Sequence, residues 1–162
     1  MKTAIYPGTF DPITFGHIDV IKKSLNIFDR VVVAMTDNIN KNYYFSLEDR
    51  LSIIYNSLFK DLKLNKNRIK VISFDTLTIN LCKKYKATTI IRGLRAVSDF
   101  EYEFQLAGMN KKLNSNIETM FLMSDVENQI ISSRFVKEIS KLGGNINKFV
   151  TKSTVKMLKN KY

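Results

Sequence analysis

Short apolar runs alternate with longer amphipathic stretches along the whole chain, and this alternation predicts strands separated by helices. One run, Val31-Val32-Val33-Ala34-Met35, is apolar at every position, which is typical of a strand covered on both faces of a parallel sheet. Runs of this kind predict five strands, at residues 3–6, 31–35, 69–74, 88–91 and 120–123.

Between these runs, apolar residues recur every three or four positions, which indicates helices with one buried face. Helices are expected at about 17–28, 77–85 and 154–160. Three more are expected to start at a capping serine, and the candidates are Ser46, Ser98 and either Ser132 or Ser133. Ser98 is expected to form a capping box with Glu101, ahead of an apolar stripe at positions 100, 104, 107 and 113.

The regular succession of strand and helix predicts one α/β domain over residues 1–162, with a doubly wound, five-stranded parallel sheet and helices on both faces. The expected strand order is 3-2-1-4-5. In such sheets, ligands bind outside the carboxyl ends of the strands, where the strand order reverses. The loop 6–17 after strand one and the turn 92–95 after strand four are therefore expected to face one crevice.

The loop 6–17 holds the residues best suited to bind a phosphate. Gly16 lies where the first helix starts, and unpaired N–H groups at a helix start attract anions. His17, the only histidine of the chain, follows it and can donate a hydrogen bond to a phosphate oxygen. The alternative is an ordinary strand-to-helix connection in which His17 caps its own helix.

Composition limits the other classes of function. The net charge of +11 invites a nucleic-acid interpretation, but 20 of the 26 basic residues are lysines, scattered in a way that suggests solvated helix faces. Cys82 is the only cysteine, so it predicts a buried thiol and neither a disulfide nor a cysteine metal site. Neither a long apolar run nor a signal-peptide pattern is present, so we expect a soluble cytoplasmic protein with no membrane and no nucleic-acid partner.

Three of the six arginines stand beside loops singled out here: Arg92 and Arg95 after strand four, and Arg134 at the fifth helix. A guanidinium suits phosphate recognition. The sequence lacks Walker and G-x-G-x-x-G motifs and a nucleophile elbow, and no paired carboxylates lie close together in these loops. Transfer at phosphorus, which positioning and electrostatic stabilisation can catalyse, is therefore the chemistry that the residues favour.

Thr14-Phe15-Gly16-His17 resembles the T-x-G-H motif of the nucleotidyltransferase superfamily. Together with the segments 6–14, 91–95, 99–103 and 131–138, it resembles the bacterial phosphopantetheine adenylyltransferases over nearly the whole chain. The resemblance implies transfer of AMP from ATP to 4′-phosphopantetheine, which gives dephospho-coenzyme A and pyrophosphate. It also implies Mg²⁺ as cofactor and a homohexamer; the metal ligands stay unknown.

The same resemblance implies residue roles. His17 would stabilise the α-phosphate, Lys41 and Arg92 would hold the phosphate of the acceptor, and backbone near Thr78 would hold its pantetheine arm. Thr9 would lie near both substrates. The remaining residues implied around ATP are Phe10, Gly93, Leu94, Arg95, Glu103, Asn128, Gln129, Ile130, Ile131, Ser132, Ser133 and Arg134. From the residues alone, Glu103 would instead be expected on a solvated helix face.

The chain departs from the family pattern at two places. Tyr43 stands where many members have a proline after the loop lysine, and residues 126–129 lack an aromatic side chain. Two other functions stay open at this point. One is a cytidylyltransferase acting on a phosphorylated alcohol, and the other is an RNA-binding module that uses the positive charge.

Overall fold

The computed structural model describes residues 1–161. Its strands are β1 (Thr3–Gly8), β2 (Arg30–Thr36), β3 (Ile69–Phe74), β4 (Thr89–Leu94) and β5 (Glu118–Met123). All strand pairs are parallel, and the sheet has the order β3-β2-β1-β4-β5. The predicted fold class and strand order are confirmed.

The helices are α1 (Phe15–Ile27), α2 (Leu47–Tyr55), α3 (Thr78–Tyr85), α4 (Val97–Leu113), α5 (Ser133–Lys141) and α6 (Lys152–Lys159). A π-helical turn, Asn56–Asp61, continues α2, and a 3-10 turn, Val126–Asn128, precedes α5. Two predicted caps are confirmed, because Ser46 accepts a hydrogen bond from the N–H of Asp49, and Ser132 accepts one from that of Phe135. Within residues 1–161, every helix is too short or too polar to cross a membrane.

Helices cover both faces of the sheet, since neighbouring residues of a strand point to opposite sides. Ala4 and Tyr6 of β1 belong to one apolar cluster, which also contains residues of α1, α2, α5 and α6. Ile5 belongs to a second cluster with residues of α3, among them the buried Cys82. Burial raises the pKa of the Cys82 thiol to about 11, as suits the structural role expected of it.

Strands β1 and β4 run further than the sequence predicts. Pro7 and Gly8 pair with β2, and Arg92-Gly93-Leu94 pair with β5, so the predicted turn at 92–95 is wrong for its first three residues. Between β1 and β4 themselves, however, pairing stops at Ile5 and Ile90. Pro7 has no N–H to offer β4. The two central strands therefore separate towards their carboxyl ends and leave a gap.

The predicted start of α4 is also wrong. The helix begins at Val97 after Ala96, so Ser98 already lies inside the first turn and no side chain caps the helix. Its apolar stripe is not covered by the rest of the described chain, since Phe100, Phe104 and Leu113 are 47%, 63% and 54% exposed. Among the α4 residues only Glu103 is buried.

Candidate active site

The gap between β1 and β4 opens into a cavity of about 580 Å³ at the carboxyl edge of the sheet. Both sequence motifs line this one cavity, as predicted for the point where the strand order reverses. The candidate residues that line it are Thr9, Phe10, His17, Lys41, Arg92, Gly93, Leu94, Arg95, Glu103, Ile131, Ser132, Ser133 and Arg134.

Four candidates lie outside the cavity lining. Thr78 is the first residue of α3, beyond the end of β3. The Asn128 amide donates to Asp19 Oδ2 at 2.7 Å, the Gln129 amide donates to the Ser124 carbonyl at 3.3 Å, and Ile130 is 81% exposed. The side chains of residues 128–130 thus hold the loop or face solvent.

His17 lies in the first turn of α1, and its ring is oriented by the residue that precedes the helix. The Thr14 backbone N–H donates to His17 Nδ1 at 3.0 Å, so the neutral ring has its proton on Nε2. Burial, followed by the charges of Arg95 and Arg92, lowers the pKa of His17 to about 4. Capping and catalysis are therefore compatible, since Nδ1 serves the helix while Nε2–H stays available as a neutral donor.

The ring of Phe10 packs between His17 and Gly8. Phe10 adopts a left-handed backbone with φ of 48°, and its ring packs edge to face on His17, with centroids 5.2 Å apart. The other side of the ring lies on Gly8, where a Cβ would stand only 2.7 Å from Phe10 Cζ. Gly8 is required here because only a residue without a side chain leaves room for the ring.

Gly16 brings two helix starts together. A Cβ on Gly16 would lie 3.1 Å from the Asn128 carbonyl oxygen, so the absence of a side chain lets the loop before α5 pack against α1. Ser133 Oγ fastens the same contact by donating to the Pro12 carbonyl at 2.7 Å. The first turns of α1 and α5 therefore border the same cavity, and both present the positive end of a helix dipole to it.

Arg92 is held by a carboxylate from α4. Its Nε and Nη2 donate to the two oxygens of Glu103 at 2.7 and 2.5 Å, and its Nη1 donates to the Pro7 carbonyl at 3.0 Å. Burial alone would lower the pKa of Arg92, but the hydrogen bonds and charge of Glu103 raise it, so the guanidinium stays charged. Glu103 is 7% exposed, and the expectation of a solvated helix face is wrong.

Three further cations of the cavity, Arg95, Arg134 and Lys41, are more exposed. Arg95 pairs with Asp99 at 3.4 Å and Arg134 with Glu138 at 3.1 Å, each one helical turn away. Lys41 lies in an exposed loop, and within residues 1–161 its ammonium forms no ion pair. These three side chains can turn towards an anionic ligand at little cost, because surface pairs contribute little stability.

Four cavity or cavity-supporting residues were not anticipated from the sequence: Asp11, Arg50, Ser124 and Lys137. Asp11 is buried and accepts hydrogen bonds from the N–H groups of Tyr44 and Phe45 at 2.7 and 3.0 Å, with Lys137 Nζ at 3.6 Å. Ser124 is buried in the cavity wall, and its hydroxyl has no hydrogen-bond partner within residues 1–161. A polar residue beside Pro12 was the only signal for Asp11; the other three give none.

Carboxylates do not cluster at this site. Throughout the described chain, no group of three or more histidine, cysteine, aspartate or glutamate side chains could hold a metal ion. The charged groups that face the cavity are mostly cations, and they suit a ligand with several phosphate groups.

Comparisons with known proteins agree with this geometry. A family model described as cytidylyltransferase-like matches residues 5–139. A phosphopantetheine adenylyltransferase of Pelagibacter ubique is 69% identical over 161 residues, which cover 99% of this chain and 98% of the relative. The enzyme of the same name from Sphingopyxis alaskensis is 46% identical, over 96% of this chain and 90% of its own.

A solved structure supports the fold. The nicotinic acid mononucleotide adenylyltransferase of Plasmodium falciparum, complexed with NaAD, superposes with a TM-score of 0.71 at 18% identity, covering 99% of this chain and 96% of that one. At this identity the likeness concerns the architecture.

Proposed function

The chain belongs to the phosphopantetheine adenylyltransferases of the cytidylyltransferase-like family, and on that premise we propose that the cavity between β1 and β4 is their active site. The protein transfers the adenylyl group of ATP to 4′-phosphopantetheine and gives dephospho-coenzyme A and pyrophosphate, a step of coenzyme A biosynthesis. The observation that supports the site is that the loop of His17 and the strand end of Arg92 line one cavity rich in cations.

In the proposed mechanism, a phosphate oxygen of 4′-phosphopantetheine attacks the α-phosphorus of ATP. A new P–O bond forms, the bond from the α-phosphorus to the α,β-bridging oxygen breaks, and pyrophosphate leaves with that electron pair. The attacking phosphate is already ionised at neutral pH, so the protein does not need to supply a general base. Catalysis then depends on alignment and on stabilising negative charge.

His17 is proposed to supply that stabilisation through Nε2–H. Its neutral ring needs no counter-ion before substrate arrives. Because Nδ1 accepts a hydrogen bond from the Thr14 N–H, the proton is on Nε2, and His17 lines the cavity. As negative charge grows on the non-bridging α-phosphate oxygens, this hydrogen bond strengthens. Removing one such donor typically costs a factor of about 100 to 1,000 in kcat.

The cations are proposed to divide between the two substrates. Lys41 and Arg92 would hold the acceptor phosphate, with Thr9 between the two substrates, while Arg95, Arg134 and the starts of α1 and α5 would hold the triphosphate. Glu103, which we place beside ATP, also orients the Arg92 guanidinium that would hold the acceptor phosphate. We expect backbone groups rather than side chains of residues 128–130 to meet the nucleotide. Backbone near Thr78 stays our proposal for the pantetheine arm.

Magnesium is proposed to arrive with ATP. Because the described residues offer no ligand cluster, the phosphate oxygens and water would supply most of its coordination, as is usual for this ion. Its chemistry there would be to neutralise charge on the phosphates. The chain's own part is the set of cations that orient them.

A homohexamer also stays a proposal. The exposed apolar side chains of α4 support association through that helix, because a soluble monomer rarely leaves such a patch uncovered. Sedimentation of the purified protein tests the assembly directly, and a monomer at micromolar concentration would contradict it.

The function is tested by release of pyrophosphate from ATP, 4′-phosphopantetheine and Mg²⁺. The same assay with CTP tests the cytidylyltransferase alternative, because the matching family is described as cytidylyltransferase-like. We expect turnover with ATP, little with CTP, and a loss of at least about 100-fold in kcat for His17→Ala. A loss of only a few-fold would remove His17 from the mechanism, and preference for CTP would change the substrate.

A further inference from the structure

Arg50 is a fully buried cation that the proposed reaction does not use. It lies in α2, and its Nη1 donates to the carbonyls of Thr9 at 3.2 Å and Thr36 at 2.9 Å, while its Nη2 pairs with Asp37 at 3.2 Å. One guanidinium thus joins the loop after β1 to the end of β2. Buried charges are costly unless they are well partnered, so this position is tightly determined.

The Tyr43 ring packs on a face of this guanidinium. Arg50 Cζ lies 3.7 Å from the centroid of the Tyr43 ring, which is close enough for a strong cation–π contact. The hydroxyl of the same tyrosine accepts a hydrogen bond from the Asn38 N–H at 2.8 Å. Tyr43 therefore connects Arg50 with the start of the loop that holds Lys41.

The segment between these two contacts is a tight turn. The Lys41 N–H donates to the Asn38 carbonyl at 3.0 Å, and the Asn40 N–H donates to Asn38 Oδ1 at 2.9 Å. The backbone of Lys41 is therefore fixed while its ammonium forms no ion pair within residues 1–161. Lys41 and Tyr43 both line the cavity.

We propose that Tyr43 and Arg50 are positioning residues, which hold the 38–43 turn so that Lys41 meets the phosphate of the acceptor substrate. This inference rests on the proposed function. Both residues are connected to Lys41 through the 38–43 turn, so Tyr43 is expected to act on 4′-phosphopantetheine and to leave ATP binding largely to other groups. They set the affinity for the acceptor, and the chemical step stays with His17.

The test compares Tyr43→Leu with Tyr43→Phe by steady-state kinetics. Tyr43→Leu removes both the ring and the hydroxyl, and we expect KM for 4′-phosphopantetheine to rise about tenfold, with KM for ATP within about twofold of the parent. Tyr43→Phe keeps the ring over Arg50 but loses the hydrogen bond from the Asn38 N–H, so a smaller rise, of up to about threefold, is expected. Tyr55→Leu is the matched control, since Tyr55 also contacts a cation, Lys66 Nζ at 5.0 Å from its ring centroid, but lies outside the cavity.

A double-mutant cycle with Lys41→Ala separates positioning from general stability. If Tyr43 acts through Lys41, adding Tyr43→Leu to Lys41→Ala raises KM for the acceptor no further. An unchanged acceptor KM in Tyr43→Leu, an equal rise in both KM values, or additive effects in the cycle would each overturn the inference. Failure of the parent protein to release pyrophosphate would instead overturn the proposed function, so the two failures are distinguishable.

Discussion

Titration of the His17 ring by proton NMR, in protein without ligand, is expected to give a pKa of about 4. An unperturbed histidine titrates near about 6.5. The difference has two physical causes, burial of the ring and the positive charges of Arg95 and Arg92 beside it. Because the chain has a single histidine, its ring signals need no assignment. Addition of ATP should raise this pKa, since phosphate charges favour the protonated ring.

The same shift links folding stability to pH. Between about pH 4 and 6.5, the unfolded chain binds a proton at position 17 that the folded protein does not, so stability rises with pH through this window and is lost as the pH falls. Lowering the pKa from 6.5 to about 4 corresponds to at most about 3 kcal/mol of unfolding free energy. The half-buried position of the ring makes this an upper value.

Urea denaturation of the parent and of His17→Asn, at pH 7.5 and pH 4.5, measures this contribution. Carboxylates titrate in both proteins and cancel in the difference. We expect the parent to lose about 2 to 3 kcal/mol more than the variant on acidification. A His17 pKa near 6.5, or parallel losses in the two proteins, would refute the electrostatic reasoning and with it the neutral Nε2–H donor.

Two further predictions concern the residues around His17. Gly8→Ala is expected to lower the unfolding free energy by about 1 to 3 kcal/mol, because its Cβ would stand 2.7 Å from the buried Phe10 ring. Gly108→Ala is the control and should raise the unfolding free energy by up to about 1 kcal/mol, because its Cβ would have nothing within 4 Å. Equal effects of the two substitutions in urea denaturation would contradict the packing argument. Glu103→Gln is expected to lower kcat/KM for the acceptor at least tenfold and the unfolding free energy by about 2 kcal/mol, because the partly buried Arg92 loses its charged partner. Glu101 is exposed on the same helix, and Glu101→Gln should change neither quantity.

Local patterns in the sequence were sufficient for the architecture. Apolar runs and helical periodicity gave the strands and helices, and the parallel order followed from their alternation. Strand β4 shows where this reasoning ends. Arg92 and Gly93 look like a turn in sequence, yet they continue the strand because β5 pairs with them and Glu103 partners the arginine. Such contacts come from distant elements and leave no local pattern.

The site was predictable where glycine, histidine or arginine interrupts an element, as at Gly16, His17 and Arg95. It was not predictable where a polar residue is buried by tertiary contact. Arg50 looks like an ordinary polar residue of an amphipathic helix, but its side chain is fully buried among carbonyl groups of two other segments. The role of Tyr43 can be inferred only once the structure shows that Arg50 packs against its ring.

The central strand β1 pairs unequally with its two neighbouring strands. β1 pairs with β2 at six residue positions but with β4 at only two, Ala4 with Thr89 and Ile5 with Ile90. A substrate pair that fills the cleft would bridge the two parts of the sheet beyond that short ladder. Bound substrates would then hold the two parts of the sheet together where the fewest residue pairs connect them. Substrate binding would therefore also increase the resistance of the protein to mechanical unfolding.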